Sequence, residues 1–207
     1  MTIRKILRHA TLANAGALLF ALAAPVFAVD DISEAEMLRK LSAPLPASAE
    51  EPAPVFLTRG IRHRPDPNTN RCENSAPAPQ STAPARRSLY VEDAPSIDLA
   101  INFNHGAATL TPDSRRTLDS LAKVLKSADL QRDHFVIAGH TNKVGQDEFN
   151  KHLSCARAIS VRNYLRDTHG IQNERLVTMG FGFDRLKTPE SPESDENRRV
   201  EIRKSGS

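Results

Sequence analysis

The C-terminal half of the chain is predicted to be an α+β domain, a two-layer sandwich with two helices on one face of a mixed sheet. Two observations predict it. From Ser96 onward strands and helices follow in the order β-α-β-α-β-β, and each helical stretch carries one apolar stripe. Residues 91–207 hold 17 basic and 17 acidic residues, a balance that leaves no basic stripe. Alternation of this kind favours helices laid on one face of a sheet that each helix covers with its stripe.

The elements follow in order. Ile97, Leu99, Ile101 and Phe103 alternate with Asp98, Ala100 and Asn102, the period of a strand with one buried face. Thr111-Pro112-Asp113 supplies an N-cap, a proline in the first turn and an acid beside it. Leu118, Leu121, Ala122 and Leu125 then recur at helical spacing. His134 to Ala138 is a second strand, of the buried type through Phe135-Val136-Ile137, and Gly139 to Gly145 is a loop bounded by glycines. A long helix runs from about Gln146 to Thr168, with Phe149, Leu153, Val161 and Leu165 assigned to one face, and stops at His169-Gly170. Glu174 to Phe181 is a third strand and Phe183 to Glu196 a polar excursion. Arg198 to Arg203 closes the sheet, with Val200, Ile202 and, by parity, Arg198 directed toward the helices.

The N-terminus begins with Arg4, Lys5 and Arg8, continues uncharged from His9 to Ala28 and ends in Val26-Phe27-Ala28. That order is a secretory signal, with cleavage expected after Ala28. The apolar stretch Ala10–Ala24 is short of the roughly 20 residues that cross a bilayer. An exported protein of the periplasm or outer membrane is therefore expected. The three basic residues of this leader account for the whole net charge of +3, so nucleic acid is not an expected partner. The expected organisation is a signal over 1–28, a short helical segment over 29–43, a Pro-rich disordered linker over 44–90 and the folded domain over 91–207. Ser33-Glu34-Ala35-Glu36 has the form of a capping box opening a helix of about two turns, marginal by itself. The linker would span about 40 Å as a flexible coil, and within it the apolar run Val55–Ile61 has the character of a short strand or docking segment. Cys72 and Cys155 lie in a chain bound for an oxidising compartment. A bridge between them would contribute about 4 to 5 kcal/mol in the chain-entropy model, but free thiols and an intermolecular bridge stand beside it as alternatives. No histidine or cysteine spacing forms a metal site, and no cofactor is expected.

One residue on the long helix does not fit a plain core stripe. Leu153, Arg157, Val161 and Leu165 recur every four residues, which puts Arg157 near the edge of the face that should be buried. A guanidinium there needs an anionic partner. The partner is either one of the domain's own carboxylates, Asp98 or Asp147, or the carboxylate of a small ligand held between loop and helix. Catalysis is not expected. His152 and Ser154 are two apart on a helix and point away from each other, no carboxylate pairs with Glu148, and Gly180 and Gly182 lead no helix.

Gly139-His140-Thr141-Asn142 through Gly145, then Asn150, Leu153-Ser154, Arg157-Ala158 and Val161, resembles the G-H-T-D-x-x-G, N-x-x-L-S-x-x-R-A-x-x-V pattern of OmpA-like peptidoglycan-binding domains. Gly180-Phe181-Gly182 and Asn197-Arg198-Arg199-Val200 resemble two further motifs of that family, and the likeness covers residues 96–204. It implies non-catalytic binding of peptidoglycan, with the loop residue Asn142 and the helix residue Arg157 facing the ammonium and carboxylate of diaminopimelate in the stem peptide. Thr141, Asn150, Leu153, Asn197 and Arg198 match positions that shape or buttress that pocket. The implied role is to tether the cell wall to an outer-membrane or other envelope partner through the N-terminal segment. Two departures stand out. Asn142 replaces the usual aspartate, and since a charge-assisted bond contributes roughly 1.5 to 3 kcal/mol against about 1 for a neutral one, affinity would fall about tenfold. Asn104-His105-Gly106 replaces an aromatic and acidic pair. A periplasmic interaction module that keeps the fold and binds peptidoglycan weakly or not at all is the alternative.

Overall fold

The computed structural model describes residues 32–46, 70–72, 90–103 and 106–205. The expected signal, residues 47–69 and 73–89 of the expected linker with its run Val55–Ile61, and the pair Asn104-His105 lie outside the described residues. The elements are α1 (Glu34–Leu41), β1 (Ser96–Leu99), α2 (Pro112–Leu125), β2 (Phe135–Gly139), α3 (Asp147–His169), β3 (Leu176–Gly180) and β4 (Val200–Lys204), with short 3-10 turns at Asn173–Arg175 and Asp195–Asn197. The strands lie in the order β1-β4-β2-β3. β2 and β3 run parallel, while β4 is antiparallel to both β1 and β2. The fold is the expected α+β sandwich with a mixed, open sheet.

The central strands are covered on both faces, as a buried strand requires. Phe135 and Ile137 of β2 join Val200 and Ile202 of β4 in one core with Leu118, Leu121 and Leu125 of α2 and Ala158, Val161 and Leu165 of α3. The alternate residues Val136 and Ala138 face the other way, into a smaller cluster with Tyr90, Val177, Met179 and Phe181. Thr111 Oγ1 accepts from Ser114 N at the start of α2, and α3 ends on Gly170, whose left-handed φ of 67° a side chain would strain.

α1 packs on this body. Ser33 Oγ accepts from Glu36 N at 3.2 Å, and Met37 and Leu41 are buried in the same core as Leu118 and Leu125. Outside that contact Lys123 pairs with Glu34 at 2.8 Å. A helix of eight residues owes its stability to such packing and not to propensity. The chain is also fixed at 70–72, which lie antiparallel along the free edge of β3: Cys72 N donates to Thr178 O at 3.0 Å and Gly180 N to Asn70 O at 2.9 Å. Of the alternatives open for the cysteines, the structure has the intramolecular bridge, Cys72–Cys155, which joins this edge to α3.

On the helix-free face Tyr90 donates to both carboxylate oxygens of Glu201 at 3.3 Å. Arg203 bonds the same carboxylate and donates to the carbonyls of Val91 and Ala94. Burial and the neighbouring Glu201 charge push the Tyr90 hydroxyl up to about 12.

Candidate functional site

The site forms where α3 crosses the ends of β2 and β3. Those strand ends carry glycine, and the helix uses the space: a Cβ on Gly139 would lie 2.1 Å from the Ser154 carbonyl oxygen, and one on Gly180 would lie 2.6 Å from Cys155 Sγ. Ser154 Oγ accepts from Gly182 N at 2.9 Å and donates to Lys151 O at 2.8 Å. Helix, sheet end and the following loop are thereby locked together.

Helical geometry decides which face of α3 each residue meets. A step of four residues advances about 40° past a full turn. Counting back from the buried Val161, Arg157 is therefore displaced by about 40°, Leu153 by about 80° and Phe149 by about 120°. The structure follows this drift: Arg157 is 9% exposed and Phe149 57% exposed, with Leu153 between them. The expectation that Phe149 shares the buried stripe is corrected, because the four-residue spacing does not hold a face over three steps.

The loop between β2 and α3 is held from three sides. Asn150 Nδ2 donates to Val144 O at 2.9 Å and Gln146 O at 3.0 Å. Thr141 N donates to Gly182 O at 2.7 Å and Lys143 N to Pro192 O at 2.9 Å. Asn142 Nδ2 donates to Glu193 O at 2.8 Å. That uses one hydrogen of the amide nitrogen on the protein itself and leaves Oδ1 as the acceptor Asn142 can offer to a cation. The Thr141 hydroxyl is buried with no hydrogen-bond partner among the described residues.

The opposing loop is organised by Asn197, which is fully buried. Its Oδ1 accepts from Lys187 N and Thr188 N at 2.8 and 3.0 Å, and its Nδ2 donates to Ser191 O and Pro192 O at 3.0 and 3.2 Å. Asn197 thus shapes the loop from within. Arg198 lies outside β4, because the 3-10 turn Asp195–Asn197 interrupts the strand expected from residue 198. Its side chain is exposed and pairs with Asp195 at 2.6 Å, so the parity argument for Arg198 is corrected.

Arg157 is the unusual group. Its Nε donates to Ala107 O at 3.3 Å and its guanidinium lies 4.9 Å from the centroid of the Phe103 ring. Burial, and then the nearby positive charge of Arg198, hold its pKa below the ordinary arginine value, and no carboxylate acts on it among the described residues. The two internal partners weighed from sequence are engaged elsewhere, Asp98 with Arg199 at 3.1 Å and Lys187 at 3.4 Å, and Asp147 with Lys151 at 2.9 Å. A largely buried cation repelled by a second cation is a place where an external anion relieves an existing cost. No hydrogen bond joins Arg157 to Asn142; Asn142 is bonded to Glu193 of the 182–198 loop, and Arg157 feels the charge of Arg198 from the same loop.

Sequence reasoning missed Phe103 as the ring beneath Arg157 and Glu193 as the residue bonded to Asn142. Phe103 ends the alternation of the first strand and was legible only as core. Nothing in the local sequence of Glu193 marks it.

The geometry defines a small α+β domain with a largely buried arginine at its helix-to-sheet junction. Residues 102–199 match the OmpA family model and are an OmpA family domain. Outer membrane protein A of Citrobacter freundii is 33% identical over 127 residues, which cover 61% of this chain and 50% of that protein. Outer membrane protein A of Escherichia coli O157:H7 is 36% identical over 85 residues, 41% of this chain and 24% of that protein. The chain thus spans half or less of the length of these curated relatives. Similar solved structures include the periplasmic domain of Helicobacter pylori MotB, with a TM-score of 0.48 at 20% identity over 56% of this chain and 86% of that one. The peptidoglycan-associated lipoprotein of Burkholderia pseudomallei has a TM-score of 0.43 at 23% identity over 53% and 88%.

Proposed function

We propose that this domain binds peptidoglycan non-covalently, taking the diaminopimelate of the stem peptide at the junction of α3 with the β2–α3 loop, and that it tethers the wall to an outer-membrane or envelope partner through its N-terminal segment. The observation that carries the proposal is Arg157, largely buried and without a carboxylate among the described residues. A diaminopimelate carboxylate supplies the missing charge, Asn142 Oδ1 accepts from the ligand's ammonium, and Thr141, Asn150, Leu153, Asn197 and Arg198 shape the surroundings. The leader-like first 28 residues and the outer-membrane names of the curated relatives support the placement in the envelope.

Calorimetric titration with a diaminopimelate stem tripeptide tests it. Binding by the unmutated protein that Arg157→Ala lowers at least tenfold is expected, since a charged bond to a carboxylate is lost; absence of heat with the unmutated protein opposes the proposal. The neutral Asn142 favours a second reading, an interaction module that has kept the fold and not the ligand, and that same absence of heat is what it expects.

A further inference from the structure

Asn142 offers a ligand ammonium no charge, and its own amide hydrogen bond points to a residue that does. The acceptor of Asn142 Nδ2 is the backbone carbonyl of Glu193. Glu193, an exposed residue, lines a cleft of about 460 Å³ with Lys143, Ser191, Pro192 and Ser194, between the loop carrying Asn142 and the loop held by Asn197. Glu193 and Lys143 form no ion pair with each other or with another described residue, in a surface where Asp98, Asp147, Asp184 and Asp195 are all paired. The loop presenting Glu193 is fixed on both sides of it, by Pro192 O accepting from Lys143 N and by Ser194 Oγ accepting from Glu196 N. Five residues on, Arg198 exerts its charge on Arg157. One short loop therefore bonds the neutral Asn142 and carries Arg198, whose charge Arg157 feels.

We propose that Glu193 supplies the anionic half of the ligand site, its carboxylate pairing with the free ammonium of diaminopimelate beside the Asn142 amide oxygen. The proposal rests on the peptidoglycan-binding function above. A zwitterionic end group meets opposite charges only if a carboxylate stands near, and charge-assisted bonds are about twice as strong as neutral ones. Glu193 thereby takes over from outside the motif the charge that position 142 lacks.

The test compares two ligands by calorimetric titration of the full exported chain: the stem tripeptide with its free diaminopimelate ammonium, and the same tripeptide acetylated there. The unmutated protein is expected to prefer the free amine about tenfold. Glu193→Gln, an exposed side chain without bonds whose replacement leaves the fold and melting temperature unchanged, abolishes the preference while keeping binding of the acetylated ligand. Asn142→Asp placed in the Glu193→Gln protein restores it. An undiminished preference in Glu193→Gln, or none in the unmutated protein, overturns the assignment of Glu193 alone. Failure of the unmutated protein to bind either ligand overturns the peptidoglycan function and this inference with it.

Discussion

Arg157 lies over the ring of Phe103, 4.9 Å from its centroid, and Arg198 is the one charge that acts on it among the described residues. The stack desolvates one face of the guanidinium and offers it no counter-charge. A group arranged in this way costs the protein stability.

Arg157→Met is therefore expected to leave the melting temperature unchanged or raised, since removing an unpaired buried charge in favour of an apolar side chain of similar volume is commonly neutral or stabilising. If Arg157 takes the ligand carboxylate as proposed, binding of the stem tripeptide is expected to be lost in the same variant. Calorimetry of unfolding checks the first half, and destabilisation by more than about 3 kcal/mol would give Arg157 a structural task instead.

Reduction of Cys72–Cys155 is expected to lower stability by about 2 to 5 kcal/mol, the range for removal of a native bridge. The loss should be local as well as global. The amides of Cys72 and Gly180, which pair the 70–72 segment with β3, should exchange faster with solvent after reduction while that of Ile137 does not. Equal protection before and after reduction contradicts this.

α1 is expected to be integral to stability. Leu41→Ala removes a fully buried side chain from the main core and should cost about 2 to 5 kcal/mol in urea titration. A change below about 0.5 kcal/mol, the range of surface substitutions, would mean that α1 does not pack in solution.

Acid is expected to weaken the fold in two stages. His140 is pushed down by burial, against the raising influence of Glu201 3.4 Å away. Burial pushes Glu201 up, but His140 and Arg203 outweigh it and bring the carboxyl to about 2. In the unfolded chain the two groups titrate near ~6.5 and ~4.3, so the unfolded state binds more protons across the acid range. Stability is complete above about pH 6.5, begins to fall below it, and falls further between about 4.3 and 2 by about 3 kcal/mol for Glu201. Urea midpoints from pH 7 to 3 measure this, and Glu201→Gln should flatten the lower stage.

Much of the fold was legible because local signals agreed with one another. Thr111-Pro112 marks the start of α2 and Gly170 the end of α3, and the continuous apolar run at Phe135-Val136-Ile137 marks a strand that is covered on both faces. What was not legible depends on long-range contact. The pattern of Met37 and Leu41 shows an apolar side without saying what it meets, and it meets the α2–β1 side of the sandwich. Cys72 lies among residues with no period, and only the β3 edge gives it a place opposite Cys155. At the site, Arg157 was conspicuous as a charge near an apolar stripe, and its lack of a carboxylate partner among the described residues follows from where Arg199, Lys187 and Lys151 place Asp98 and Asp147. Glu193 carried no local signal because its link to Asn142 runs through its backbone carbonyl, which any residue has.

The most direct test is co-sedimentation of the protein with purified diaminopimelate-type peptidoglycan. The unmutated protein should pellet with the wall and Arg157→Ala should stay in the supernatant with an unchanged melting temperature. Pelleting of Arg157→Ala to the same extent, or no pelleting of either protein, would contradict a wall-binding site built on Arg157.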